Sequence, residues 1–220
     1  MAKTRVYKYL SLTALAAGLA LVGMLTVTLL NQGLTQQQFE IVTDVEVYAR
    51  DLKAAEGPLR VILTLDNLFL VFYTAAFLFV TMAVKTDENR LIAYAGLGAI
   101  LITTYLDLLE NHHIMTMLTS ITQGLPISLV EIQERMTWSQ LKFHSSYLSF
   151  FLFAFVLPHD TLLEKGLRWS LWFVFLPVGV MVYTYPDFMG GIFGLLRYIL
   201  MLSGLLILAW NYFVRTRQQS

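Results

Sequence analysis

Apolar residues run along this chain in six long blocks, each close to the length needed to cross a bilayer. The intervals between them hold most of the charge. A spanning helix needs about 20 predominantly apolar residues. The blocks predict helices over 10–30, 59–84, 91–111, 136–157, 169–185 and 192–214. The expected fold is all-α: a polytopic membrane protein with a single six-helix transmembrane domain over 1–220. The first run follows Lys3, Arg5 and Lys8. It is longer than a signal-peptide core, so it reads as an uncleaved helix.

The intervals differ in character. Residues 31–58 are the most polar, and a solvated connector is expected there. Phe39, Val42, Glu46 and Ala49 would suit a short surface helix within it, closed by Gly57-Pro58. Residues 112–135 also read as a connector, broken at Gly124-Leu125-Pro126, but Met115, Met117, Leu118 and Ile121 suggest that it lies on the membrane surface as a lid would. Pro177 and Gly179 predict a kink in the fifth span. Tyr185-Pro186-Asp187 and Gly190-Gly191 predict the last turn.

Loop charge orients the bundle. Lys3, Arg5, Lys8, Lys85, Arg90, Lys165, Arg168, Arg215 and Arg217 fall on the side of the termini. Arg50, Lys53, Arg60 and Arg135 fall on the other. The positive-inside rule then places both termini in the cytoplasm and residues 31–58 and 112–135 outside. The expected location is a plasma membrane, a bacterial inner membrane, with the lipid bilayer as the first partner.

Composition narrows the function classes. The chain is 57% hydrophobic and 14% charged, and its 15 Lys+Arg balance 15 Asp+Glu. That balance gives no basic surface for nucleic acid. Cysteine is absent, which removes disulfides, thiol nucleophiles and Cys-held zinc or iron–sulfur clusters.

The third block breaks its own pattern. After a long uncharged run it places Asp107, Glu110 and Asn111 where helix is still expected. At about 100° per residue these share one stripe with Thr103, Thr104 and Ile114. The bland alternative ends the helix near Leu106 and leaves them as interfacial caps. Acidic groups at a helix C-terminus oppose the macrodipole, so the buried stripe is the better reading.

Depth extends the constellation. Asp107 lies seventeen residues from Arg90, Asp66 eighteen from Val84, Lys142 fifteen from Leu157 and Arg197 seventeen from Val214. At 1.5 Å per residue all four sit about 22–27 Å from the cytoplasmic side. The expectation is one cluster in the outer half of the bundle. Asp107, Glu110 and Lys142 would form its catalytic core; Asp66, Tyr73, Asn111, His113, Ser146 and Arg197 would line it for ligand binding. Close carboxylates push one pKa upward, which suits proton exchange. Arg197 would turn inward beside Gly190, Gly194 and Gly204, small residues that let helices approach.

No cofactor or metal is expected. His113, Glu110, Asp107 and Asp66 have acceptable ligand chemistry, and His112 or His113 opposite His144 could hold haem, but no metal-ligand spacing is present. Ser145, Ser146 and Ser149 near Lys142 fit helix–helix hydrogen bonding better than a Ser–Lys dyad. No GxSxG, P-loop or GxGxxG motif occurs. The leading reading is a buried polar pocket that binds a small or lipidic ligand, with acid–base chemistry open to it. The alternatives are a proton-coupled carrier component, or a structural subunit whose partner is another membrane protein.

Overall fold

The computed structural model of the protein describes residues 3–41, 43–185 and 191–219. They form helices joined by turns, and no strand occurs among the described residues. The helices are α1 (Lys3–Leu30), α2 (Val45–Ala54), α3 (Glu56–Val84), α4 (Arg90–Thr122), α5 (Leu129–Val156), α6 (Leu162–Ser170), α7 (Leu176–Thr184) and α8 (Ile192–Gln218). A π-helical turn, Leu171–Phe175, joins α6 to α7, and a 3-10 turn, Gln36–Glu40, precedes α2.

Five stretches are long and apolar enough to cross a membrane: α1, α3, α4, the continuous α6–α7 segment and α8. The fifth-span expectation over 169–185 is thereby corrected, because the helix starts at Leu162. Its start is set by a capping box, in which Thr161 Oγ1 accepts the Glu164 amide while the Glu164 carboxylate accepts from Thr161 N. The expected distortion at Pro177 appears just ahead of it as the π turn. Proline has no N–H for the regular ladder, and a wider turn takes up the mismatch.

The helices α1, α3, α4, α5, α7 and α8 pack side by side in a ring, each against the next, with α8 closing on α1. Thr4 and Gln219 share a hydrogen bond, so both ends of the chain lie on one face, here the terminal face. Residues 31–41, 43–58 and 123–128 lie on the opposite, loop face.

Side chains fill the ring. In its terminal half the filling is aromatic. Tyr73 and Phe77 of α3 meet at 4.9 Å, Phe77 meets Phe153 of α5 at 5.2 Å, and Phe150 meets Phe175 at 4.9 Å. Gly179 is required where α7 crosses α5: a Cβ there would lie 2.4 Å from the Tyr147 ring. Tyr147 OH donates to the Gly179 carbonyl at 3.1 Å. The expected small-residue approach beside Arg197 is not made at Gly194, where a Cβ would meet nothing within 4 Å. Gly190 and Pro186-Asp187 fall outside the described residues.

Two further expectations change. α4 does not stop at 111 but runs to Thr122. Ile114, Met117, Leu118 and Ile121 are buried in a second apolar cluster with Tyr48 and Leu52 of α2. These apolar residues, read as a surface lid, are the helix's own buried face. The segment 31–44 is not a solvated connector either. Gln36, Phe39 and Glu40 are buried. α1 ends on Gln32 and Gly33 in the left-handed region, φ 57° and 86°, which turns the chain back over the ring. The expected helical spacing from Phe39 gives way to a helix starting at Val45, where Asp44 accepts from the Glu46 and Val47 amides; Val42 lies outside the described residues. Pro58 sits in the first turn of α3, where its missing N–H has no partner to lose.

Candidate functional site

α4 and α5 pack closely along their length, and their polar stripes meet. Lys142 Nζ lies 3.0 Å from Asp107 Oδ1 and 2.6 Å from Glu110 Oε2. The approach to Asp107 has hydrogen-bond geometry. The approach to Glu110 Oε2 is the closer of the two. Both carboxylates come from one turn of α4, as the extension of that helix to Thr122 requires.

Glu110 has a second cation. Arg135, fully buried on α5, donates from Nη2 to Glu110 Oε1 at 3.1 Å. The same guanidinium donates to the carbonyls of Phe39 and Gln36 in the 3-10 turn. Gln36 Nε2 reaches Asn111 Oδ1 at 2.8 Å and Glu110 Oε1 at 3.3 Å. The turn is thus pinned onto α4 and α5 by both its backbone and a side chain, and it roofs the ring over the cluster.

Asn111 continues the chain of bonds. Its Nδ2 donates to Asp66 Oδ2 at 2.7 Å and to Asn67 Oδ1 at 3.1 Å, tying α4 to α3. Nearer the terminal face hydroxyls hold α4 to both neighbours: Thr74 to Thr104 at 2.7 Å on the α3 side, and Thr103 to Ser145 at 2.7 Å and Ser149 to the Gly96 carbonyl at 2.8 Å on the α5 side.

Arg197 enters from α8. Its guanidinium carbon stands 3.7 Å from the Phe143 ring centroid, and Nη1 is 3.5 Å from Tyr147 OH. Lys142 Nζ is 4.7 Å from the centroid of the same Phe143 ring. One aromatic ring therefore serves both cations. The Tyr183 ring of α7 packs against Phe143, tilted by 49° with centroids 5.8 Å apart.

Glu40 is the carboxylate on the roof. Burial, and then the charge of Glu110, push its carboxyl above the usual range, against the pull of Lys142, Arg135 and Arg197. Its Oε1 has no hydrogen-bond partner, and buried Ser139 Oγ and Tyr183 OH have none beyond each other. Burial also pushes the Tyr48 phenol upward; its hydroxyl meets the Phe39 carbonyl at 3.3 Å.

Asp107, Glu110 and Lys142 thus come together, with Asp66, Asn111 and Arg197 around them. The other expected lining residues lie apart. Tyr73 belongs to the aromatic filling. Ser146 turns back to the Phe143 carbonyl on its own helix. His113 faces α5 nearer the loop face, with Nε2 3.0 Å from the Glu131 carbonyl and its ring edge-on to Trp138. His144 Nδ1 meets the Gln140 carbonyl at 2.8 Å. Among the described residues no three His, Asp or Glu side chains group as a metal site would.

Sequence reasoning placed Arg135 on the outer surface, put Ser139 on the polar face of Lys142 without giving it a role, and passed over Gln36, Glu40, Phe143 and Tyr183. For Arg135 a signal existed. Ser128 and Glu131 form a capping box, so α5 begins at Leu129 and carries Arg135, Ser139 and Lys142 inward on one face. In comparisons with known proteins the chain matches no family model, no curated protein and no solved structure.

Proposed function

We propose that the chain crosses the membrane six times with both termini cytoplasmic, and that the loop-side half of its ring is a binding chamber for a small or lipidic ligand. Asp107, Glu110 and Lys142 are the groups placed to exchange a proton with that ligand. α5 is the sixth span. It has 28 residues, about 42 Å of helix, and its buried charges Arg135 and Lys142 point into the ring while Leu141, Leu148 and Phe155 are exposed. A helix built so can sit in lipid despite its charges, because they meet partners and not hydrocarbon.

The observation that carries the binding reading is the set of unsatisfied buried groups. Glu40 Oε1 lacks a partner in this polar half of the protein, and Ser139 Oγ and Tyr183 OH have at most each other, whereas buried polar atoms are nearly always paired. A purely structural network would close on itself. The aromatic filling below favours a site reached from the loop face over a through-path. Four carboxylates, Glu40, Asp66, Asp107 and Glu110, share this interior with three cations, Arg135, Lys142 and Arg197. One proton or one ligand cation must settle the balance, which is what gives the site acid–base capacity.

The test is native mass spectrometry of the full chain extracted gently from its membrane. A bound small molecule or lipid should be released on denaturation. It should be absent from a Lys142→Met/Asp107→Asn variant that keeps its fold. A wild-type protein that is always empty would mark the cluster as packing alone.

A further inference from the structure

We propose that the chamber binds a small zwitterion, an amino-carboxylate whose anionic end is held by Arg197 and whose ammonium end is held by Glu40. This rests on the chamber being a binding site. The starting point is how the buried charges are distributed. Lys142 has Asp107 and Glu110. Arg135 has Glu110 and two backbone carbonyls. Asp66 has Asn111. Asp66 is thus held by an amide and not by a cation; two charged groups, of opposite sign, have neither an ion pair nor a short hydrogen bond among the described residues.

Arg197 is one. It is 7% exposed, and its polar contact is one long bond to Tyr147 OH at 3.5 Å. Among the described residues no carboxylate comes within 4.0 Å of it. A guanidinium has five donors in a fixed fork that fits a carboxylate in two places at once. Phe143 supports it from one side, so the fork is oriented before any ligand arrives. Glu40 is the other. It is 8% exposed, it makes no ion pair among the described residues, and its Oε1 is unpartnered.

These two groups feel each other electrostatically yet do not touch. In a protein selected only for packing they would meet, since leaving two buried charges apart forfeits the compensation each needs. The architecture holds them apart. Glu40 rides on the 3-10 turn that Arg135 and Gln36 pin to α4 and α5, while Arg197 is fixed on α8 against Phe143. A molecule bearing an anion at one end and a cation at the other satisfies both. Ser139 Oγ and Tyr183 OH have each other as neighbours and no further partner, and each can give or take a hydrogen bond from the ligand.

A length series tests this. The purified full chain in detergent is titrated with glycine, β-alanine, γ-aminobutyrate and 5-aminovalerate, with butyrate and butylamine as single-charge controls, and affinity is read by calorimetry and by the rise in melting temperature. One member of the series should bind best, its length reporting the span from Arg197 to Glu40, and both controls should bind at least tenfold more weakly. Glu40→Gln and Arg197→Met should each weaken the best member about thirtyfold or more, the usual loss when one partner of a buried charge pair is removed. Arg197→Lys keeps the charge and loses the fork; it serves where Arg197→Met does not fold, and should also weaken binding. Butyrate binding as tightly as γ-aminobutyrate, with Glu40→Gln without effect, overturns the zwitterion while leaving a binding chamber. If no member of the series binds, the assignment falls; the chamber reading stands or falls separately, on whether the gently extracted protein carries a bound mass.

Discussion

Lys142 Nζ sits 2.6 Å from Glu110 Oε2, yet Glu110 is not Lys142's alone, because its other oxygen takes Arg135 at 3.1 Å. The two carboxylates flanking Lys142 are therefore unequal. Asp107 answers to Lys142 among the cations, whereas Glu110 bridges two.

That inequality sets the outcome of a mutant cycle. Lys142→Met leaves buried carboxylates uncompensated and should cost about 3–5 kcal/mol, read as a lower melting temperature in detergent or lost expression. Adding Asp107→Asn should recover much of the loss. Adding Glu110→Gln should recover less, because it strips Arg135 of its carboxylate. Equal rescue by the two second mutations would show that Arg135 does not depend on Glu110.

Arg135 should behave as the latch of the roof. Its fork reaches the carbonyls of Phe39 and Gln36 and the carboxylate of Glu110 together. Arg135→Lys retains one positive charge but cannot span three acceptors. Amide exchange within residues 36–41 should rise by at least tenfold, while exchange in the α3 segment around Phe77 stays near wild type. Unchanged protection at Phe39 and Glu40 would show that the roof is held by its apolar contacts instead.

Glu40 predicts a pH dependence. Its folded carboxyl titrates above the ordinary range because of burial and then Glu110, with Lys142, Arg135 and Arg197 opposing; Tyr183 also faces it. Only between the ordinary and the raised pKa does the folded state hold a proton that the unfolded chain has released. Stability from this group is full below the ordinary carboxylate pKa and is lost as pH rises through the raised one. Glu40→Gln should remove that decline, so the variant should gain on the wild type as pH climbs from about 4 upward. Parallel curves of melting temperature against pH would rule out titration at Glu40.

Five apolar helices, the polar stripe of α4 and the meeting of Lys142 with Asp107 and Glu110 were legible because helical period and depth are local arithmetic. Periodicity put Asp107, Glu110 and Asn111 on one face, and counting put Lys142 at their level. What was lost lay outside the apolar blocks. Arg135 stands beside Glu131 and Glu134, which made it look like interface, and only the Ser128–Glu131 box moves the helix start far enough to bury it. Gln36 and Glu40 sit in a five-residue turn, too short for any period, and their burial depends on Arg135 reaching across from another helix. Tyr73 and His113 have suitable chemistry but were assigned by residue type and rough depth; neighbouring aromatics, and the Glu131 carbonyl, decide where each side chain goes.

The number of crossings turns on α5, the ring helix that composition alone does not mark as a span. Gln123, just beyond α4, and His159, just beyond α5, are both exposed and bracket that helix. The chain has no cysteine, so Gln123→Cys and His159→Cys each introduce a single thiol without further engineering. A spanning α5 puts them on opposite sides. In intact cells a membrane-impermeant maleimide should label Gln123→Cys, and His159→Cys should react only after permeabilisation. The buried positions of Arg135 and Lys142 make this the expected result, because their charges face the ring and the exposed side of α5 carries Leu141, Leu148 and Phe155, with exposed polar residues Gln133, Glu134 and Thr137 at the loop-side end and His144 between Leu141 and Leu148. Labelling of both thiols from the outside would mean that α5 returns to the loop face; the ring would then be open on one side, and the chamber drawn from it would not be enclosed.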